Sequence, residues 1–131
     1  MKKNLLISLL ILMAPVCTYL YLSKNSPDYT AMASDGNNPS LLVYTSSMCL
    51  DCRRMKEVIK EVESGYQGKI NIVSINALDN NRKIQESVKK YDIKVVPTLV
   101  FTDVNGIETA KTEGFIPKEE LIQKIEEAIN E

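Results

Sequence analysis

The sequence predicts a mixed α/β domain of three layers, with helices on both faces of one sheet, preceded by an apolar N-terminal helix. After residue 40, short apolar runs alternate with segments of helical periodicity. The dipeptide Asn105-Gly106 is a favoured hairpin turn. Residues 5–22 carry no charged side chain. Together these observations predict a helix, a linker and then the order β-α-β-α-β-β-α.

Residues 1–22 are expected to form a signal anchor that is retained as a transmembrane helix. The uncharged run over residues 5–22 makes a helix of about 27 Å, close to the hydrocarbon thickness of about 30 Å. Lys2 and Lys3 precede it and favour a cytoplasmic N-terminus. The rest of the chain is therefore expected outside the cytoplasm, in the periplasm or at the cell exterior.

Two other fates of this N-terminal segment stay open, and both also export the domain. Ala31-Met32-Ala33 has the small-x-small pattern of a cleavage site, and cleavage after Ala33 would give a secreted protein. Cys17 is a candidate for lipidation, although Val16 before it is not a small residue. Residues 23–39, rich in Ser, Asn, Asp, Gly and Pro, are expected to be a flexible linker to a domain at 40–131.

Composition excludes several classes of function. The chain has 16 basic and 17 acidic residues, a balance that gives no field for binding nucleic acid. It has no histidine, which removes the usual general base, most catalytic zinc sites and every nucleophile activated by histidine. Three cysteines allow at most one intrachain pair. We expect a monomer.

The first half of the domain is predicted as strand, helix, strand. Residues 41–44 are an apolar run typical of a buried strand. Ser46 or Ser47 is expected to cap the following helix, which ends near Gly65. The apolar positions on one face of that helix are Met55, Val58, Ile59 and Val62. Residues 70–75 form the second strand.

The second half is predicted as a helix, a hairpin and a final helix. Ile84, Val88 and Tyr91 mark the second helix. Residues 98–102 form a strand that turns at Asn105-Gly106 into a fourth strand from Ile107 to about Lys111. Pro117 then opens the last helix. Its apolar positions are Leu121, Ile122, Ile125 and Ile129.

Two cysteines three residues apart stand where the first strand gives way to the first helix. Unpaired N–H groups and the helix dipole favour a thiolate at Cys49, the expected nucleophile. Cys52 lies one turn later and can resolve a mixed disulfide. A zinc site would need four ligands, and a structural disulfide closing so short a loop would stabilise little. A redox pair is the preferred interpretation.

Residues 40–131 resemble the thioredoxin family, in its extracytoplasmic, membrane-tethered type. The resemblance rests on Cys49-Leu50-Asp51-Cys52, on residues 91–98 (YDIKVVPT), and on Asn105-Gly106 followed by Gly114-Phe115. It implies a thioredoxin-like fold trimmed at the N-terminus, where the family usually has a further strand and helix. It also implies a cis Pro97 beside the cysteines, with Val96, Pro97 and Thr98 binding an extended substrate strand.

The chain also departs from the family's pattern. The family's buried acid aligns with Val43 and its lysine partner with Ser74, while Met48 replaces the usual aromatic residue before the first cysteine. Asp51, between the thiols, is therefore the candidate proton acceptor for Cys52. The alternative for Asp51 is a solvated charge near a helix start.

These observations predict a thiol–disulfide oxidoreductase that works in the reducing direction. The dithiol is the redox group, so neither a bound cofactor nor a metal is expected. Expected partners are protein disulfides and a membrane thiol–disulfide electron donor. Two alternatives stay open. One is a non-catalytic binding module that uses the edge near Val96, and the other is a handler of Cu(I) that uses Cys49, Cys52 and Met48.

Overall fold

The computed structural model describes residues 13–19 and 37–130. Residues 13–19 are helical and exposed. These ranges leave out most of the predicted anchor at 1–22 and most of the predicted linker at 23–39. The expected N-terminal trimming also lies outside the described residues. Within the described ranges, no helix has both the length and the apolar character needed to cross a membrane.

Between residues 37 and 130 the chain follows the predicted order β-α-β-α-β-β-α. Its elements are β1 (Ser40–Thr45), α1 (Leu50–Glu63), β2 (Asn71–Asn76), α2 (Arg82–Lys90), β3 (Thr98–Thr102), β4 (Glu108–Glu113) and α3 (Lys118–Asn130).

The four strands form one mixed sheet in the order β2-β1-β3-β4. Strands β1 and β2 are parallel, with α1 as their crossover, whereas β3 runs antiparallel to both β1 and β4. The loops after β1 and β2, the loop before β3 and the loop after β4 therefore meet at one end of the sheet. We call it the loop end, and it carries both cysteines of the pair.

The core lies on both faces of the sheet because side chains alternate along each strand. One face packs against α1 and α3, with a buried cluster that includes Leu41, Val43, Met55, Ile59, Leu99, Phe101, Leu121 and Ile125. The other packs against α2, with Leu42, Tyr44, Ile75, Ile84, Tyr91 and Val100. The predicted three layers are confirmed.

The hairpin between β3 and β4 is confirmed, but its predicted two-residue turn is wrong. Asp103 N–H donates to Ile107 O at 2.9 Å and Gly106 N–H donates to Asp103 O at 3.1 Å, which leaves three residues in the loop. Gly106 supplies the required positive φ of 73°. The Asp103 carboxylate accepts from the N–H groups of Asn105 and Ile107, and this added capping favours the longer loop.

Candidate active site

The loop from β1 to α1 places the first cysteine at the helix start. Ser46 Oγ accepts from Met48 N–H at 3.3 Å, and Ser46 O accepts from Cys49 N–H at 3.4 Å. This compact turn ends with Cys49 in an extended conformation (φ −95°, ψ 120°) as the N-cap of α1. The predicted cap at Ser46 or Ser47 is wrong, because the Ser46 side chain is used within the turn.

The sulfur of Cys49 is half-buried and has two polar neighbours. The N–H of Cys52, in the first turn of α1, donates to Cys49 Sγ at 3.1 Å. The thiol in turn donates to the carbonyl oxygen of Val96 at 3.6 Å. Cys49 therefore lies at the N-terminus of a helix with a partly accessible sulfur, the position that the sequence predicts for the nucleophile.

Cys52 has the opposite environment, being completely buried. Burial, followed by the hydrogen bond with Cys49, raises the pKa of the Cys52 thiol to about 11. The backbone of Ser46 and the positive charge of Lys56 act in the other direction. At neutral pH Cys52 is therefore a protonated partner held behind an accessible sulfur.

The loop before β3 brings Val96, the first of the predicted substrate-binding residues, beside Cys49. The Val96–Pro97 peptide bond is cis, as the resemblance implied. Pro97 is buried and Val96 is half-buried. Gly114, after β4, donates its N–H to Pro97 O at 2.7 Å and ties the loop to the next strand.

Thr98 supports this loop from beneath. Its side chain is completely buried, and its hydroxyl donates to Val95 O at 2.7 Å. The structure thus places the backbone of Val96 next to the sulfur and uses the Thr98 hydroxyl inside the protein. Sequence reasoning assigned Thr98 to substrate contact and missed this supporting contact.

Asp51, the candidate proton acceptor, is exposed and lies 3.6 Å from Arg54 in an ion pair one turn apart. It is not among the groups that shift the pKa of Cys52. Val43 and Ser74, which stand at the family's acid and lysine positions, are paired across β1 and β2. Val43 is completely buried, so the sheet presents no acid at this position.

Four exposed apolar side chains lie at the loop end, each next in sequence to a residue of the cysteine pair or of the contacts around it. Met48 (87% exposed) and Leu50 (57%) flank Cys49 in the chain. Val95 (48%) precedes the residue that accepts from the thiol, and Phe115 (42%) follows the glycine that binds Pro97. We call these four residues the apolar rim. Sequence reasoning missed the rim as a surface, although each member flanks a motif residue.

Residues 13–19 and 37–130 contain no group of three or more cysteine, aspartate or glutamate side chains placed to hold a metal ion. The copper alternative, which also uses the thioether of Met48, stays a prediction.

The sequence and the structure are both similar to known proteins. A family model described as a thioredoxin-like domain matches residues 27–129. Thioredoxin from Haemophilus influenzae is 28% identical over 105 residues, which make up 80% of this chain and 94% of that protein. Thiol:disulfide interchange protein DsbD from Campylobacter jejuni is 30% identical over 90 residues, covering 67% of this chain and 16% of that protein.

The structure of thioredoxin O2 from Arabidopsis thaliana in its oxidized state is 25% identical to this chain, with a TM-score of 0.61. The superposition covers 74% of this chain and 80% of that one. The family match includes the cysteine pair, the cis-proline loop and all four strands of the sheet. The chain belongs to the thioredoxin-like family.

Proposed function

We propose that this protein is a membrane-tethered thiol–disulfide oxidoreductase that reduces disulfides in extracytoplasmic proteins. The observation that carries the proposal is the asymmetry of the two sulfurs. Cys49 is partly accessible and accepts an N–H at a helix start, whereas Cys52 is buried and its pKa is raised to about 11. Cys49 is therefore suited to attack a client disulfide, and Cys52 is suited to resolve the mixed disulfide that forms.

The proposed reaction has two exchanges. The Cys49 thiolate attacks one sulfur of a client disulfide, forms a mixed disulfide and releases the other client sulfur as a thiolate that takes a proton. Cys52 then loses its proton and attacks Cys49 Sγ, which forms the Cys49–Cys52 disulfide and releases the second client thiolate. The client gains two electrons, and the pair loses them.

The loop end offers groups that suit an extended client segment. The backbone of Val96 lies beside Cys49 Sγ, and this position supports its proposed pairing with a client strand. The exposed side chains of the apolar rim offer hydrophobic contact to the client segment that carries the disulfide. Neither interaction requires a particular client side chain, so this surface suits several protein substrates.

Two features support the reducing direction. Strong oxidants of this chemistry stabilise their reduced form. Here Leu50 and Asp51 separate the cysteines, with no histidine to stabilise a thiolate, and burial disfavours the thiolate of Cys52.

A protein that reduces disulfides must itself be reduced again after each reaction. We propose a membrane thiol–disulfide carrier as the donor, since Lys2, Lys3 and the uncharged run at 5–22 favour an anchored, exported domain.

The proposal is tested with full-length protein in detergent, in a Cys17→Ala background that leaves two thiols. Cys49→Ser should abolish insulin reduction, and Cys52→Ala should accumulate mixed disulfides on Cys49. In glutathione buffers the pair should equilibrate near a thioredoxin-like potential of about −270 mV, well below the roughly −120 mV of a strong oxidant.

Three results would contradict the proposal. Full insulin reduction by Cys49→Ser would show that Cys49 is not the nucleophile. Client binding that persists after alkylation, with no exchange by the reduced protein, would indicate a binding module. Stoichiometric copper in the purified protein, held by the two thiols and without exchange, would indicate a metal handler.

A further inference from the structure

One flank of α1 carries both sulfurs and a lysine. Cys49, Cys52 and Lys56 are spaced by three and four residues, so they lie above one another on the helix surface. Lys56 is exposed and forms no ion pair with a described residue. Asp51 is paired with Arg54 instead. Lys56 therefore brings a positive charge, unpaired among the described residues, to the side of α1 that carries the two sulfurs.

The thiol of Cys52 has few polar neighbours to assist its ionisation. The groups that act on it are Cys49, the backbone of Ser46 and Lys56, and Lys56 is the charged side chain among them. The elements that share this side of the sheet, β1, β3 and α3, contribute buried apolar residues such as Val43, Leu99 and Leu121. The position paired with Ser74 is occupied by Val43, so no carboxylate at that position can accept the proton of Cys52.

We propose that Lys56 is a positioning residue that acts through Cys52. Its ammonium group stabilises the Cys52 thiolate and so speeds the release of clients. The inference rests on the proposed function, because it concerns the second exchange of that reaction. A positive charge near a partly desolvated thiolate favours the charged form, and the effect falls with distance and with salt.

The step affected by Lys56 is the intramolecular one. Cys52 gives its proton to water, and its thiolate attacks Cys49 Sγ in the mixed disulfide. The Cys49–client bond breaks, the Cys49–Cys52 bond forms, and the electron pair leaves on the client sulfur, which is then protonated. Lys56 keeps its proton throughout and forms no bond.

The test compares Lys56→Gln with Lys60→Gln, a control one turn further along α1, both in the full-length Cys17→Ala chain. A mixed disulfide between Cys49 and a thiol-containing reporter is formed, and its resolution by Cys52 is timed from neutral to alkaline pH. Lys56→Gln should slow resolution about two- to fourfold at neutral pH. Loss of the positive charge lowers the fraction of Cys52 that is ionised, but the thiolate that does form is a stronger nucleophile, which offsets part of the loss. The difference in resolution rate between Lys56→Gln and the parent chain should become smaller as the pH approaches the pKa of Cys52.

Lys60→Gln should resolve at the rate of the parent chain, and Lys56→Arg should restore most of the lost rate. Equal rates and equal pH profiles for Lys56→Gln and the parent would overturn the inference, as would an equal loss in both glutamine variants. A parent chain that forms no mixed disulfide at all would instead contradict the proposed function, and the inference with it.

A second measurement does not depend on exchange. In the Cys17→Ala, Cys49→Ser chain, Cys52 is the single thiol, and its ionisation is followed by the ultraviolet absorbance of the thiolate. Lys56→Gln should raise the midpoint of this titration by about half a unit to one unit, and Lys60→Gln should leave it in place. An unchanged midpoint in Lys56→Gln would show that the ammonium does not act on Cys52.

Discussion

At the scale of single residues, Cys49 has two roles that use the same atom. Its sulfur is the more accessible of the pair and the proposed nucleophile, and it is also the acceptor that caps α1 through the N–H of Cys52 at 3.1 Å. Sulfur accepts hydrogen bonds weakly, and better when ionised. One contact therefore both starts the helix and fixes the position of the proposed nucleophile.

The capping role predicts different stabilities for two inactive variants. Cys49→Ser keeps a side-chain acceptor at the N-cap, whereas Cys49→Ala leaves the first N–H groups of α1 without one. We expect Cys49→Ala to be less stable than Cys49→Ser by about 0.5–2 kcal/mol. Urea denaturation of both chains in the Cys17→Ala background measures the difference. Equal midpoints would show that the Cys49 side chain does not cap the helix.

At the scale of elements, the loop between β4 and α3 holds the cis-proline loop in place. Gly114 donates its N–H to Pro97 O at 2.7 Å, and its φ is +87°. A Cβ built on Gly114 would meet no atom within 4 Å, so space does not require a glycine at this position. The positive φ requires it, because other L-residues rarely adopt that conformation.

This geometry predicts that Gly114→Ala costs about 1–2 kcal/mol of stability through backbone strain alone. The expected second effect is slower reduction of insulin, because relaxation of the strain moves the partner of Pro97. Gly65→Ala is the matched control. Gly65 has no positive φ, and its new Cβ would meet only Val62 O at an ordinary 3.5 Å. If the two variants unfold at the same denaturant concentration, φ is not the reason for the glycine.

At the scale of the whole molecule, both faces of the sheet are buried, and the ionisable groups enclosed with them link stability to pH. Burial raises the pKa of Cys52 from 9.0 to about 11 and that of Tyr44 from 10.0 to about 12. In both cases the folded chain retains a proton that the unfolded chain loses at lower pH. The free energy of unfolding therefore falls as the pH rises through these ranges.

For Cys52 this stabilising effect is fully present below about pH 9 and is lost between about pH 9 and 11. Two units of pKa correspond to roughly 2–3 kcal/mol. The reduced protein should therefore lose stability over this range more steeply than Cys52→Ala, while the Tyr44 contribution is common to both. Denaturant titrations at a series of pH values measure the two slopes. Parallel slopes would contradict a raised pKa for Cys52.

Much of the fold could be predicted from the sequence because its signals are local. Apolar runs placed β1, β2 and β3 within a residue or two, and helical periodicity placed α1 and α3. The hairpin was predicted from Asn105-Gly106, but its loop length was not, because the Asp103 carboxylate that caps the loop is a side-chain contact. The cap of α1 was misassigned for a similar reason, since Ser46 is used in the turn before it.

The sequence by itself determined that two cysteines stand three residues apart between a strand and a helix, and that the domain is of mixed α/β class. Spacing and periodicity are sufficient for both, because they act within one element and its neighbour. Only the tertiary structure decided how the two sulfurs differ. Burial under the packed helices keeps Cys52 protonated, and the loop before β3, more than 40 residues away in the chain, sets the Val96 carbonyl beside Cys49.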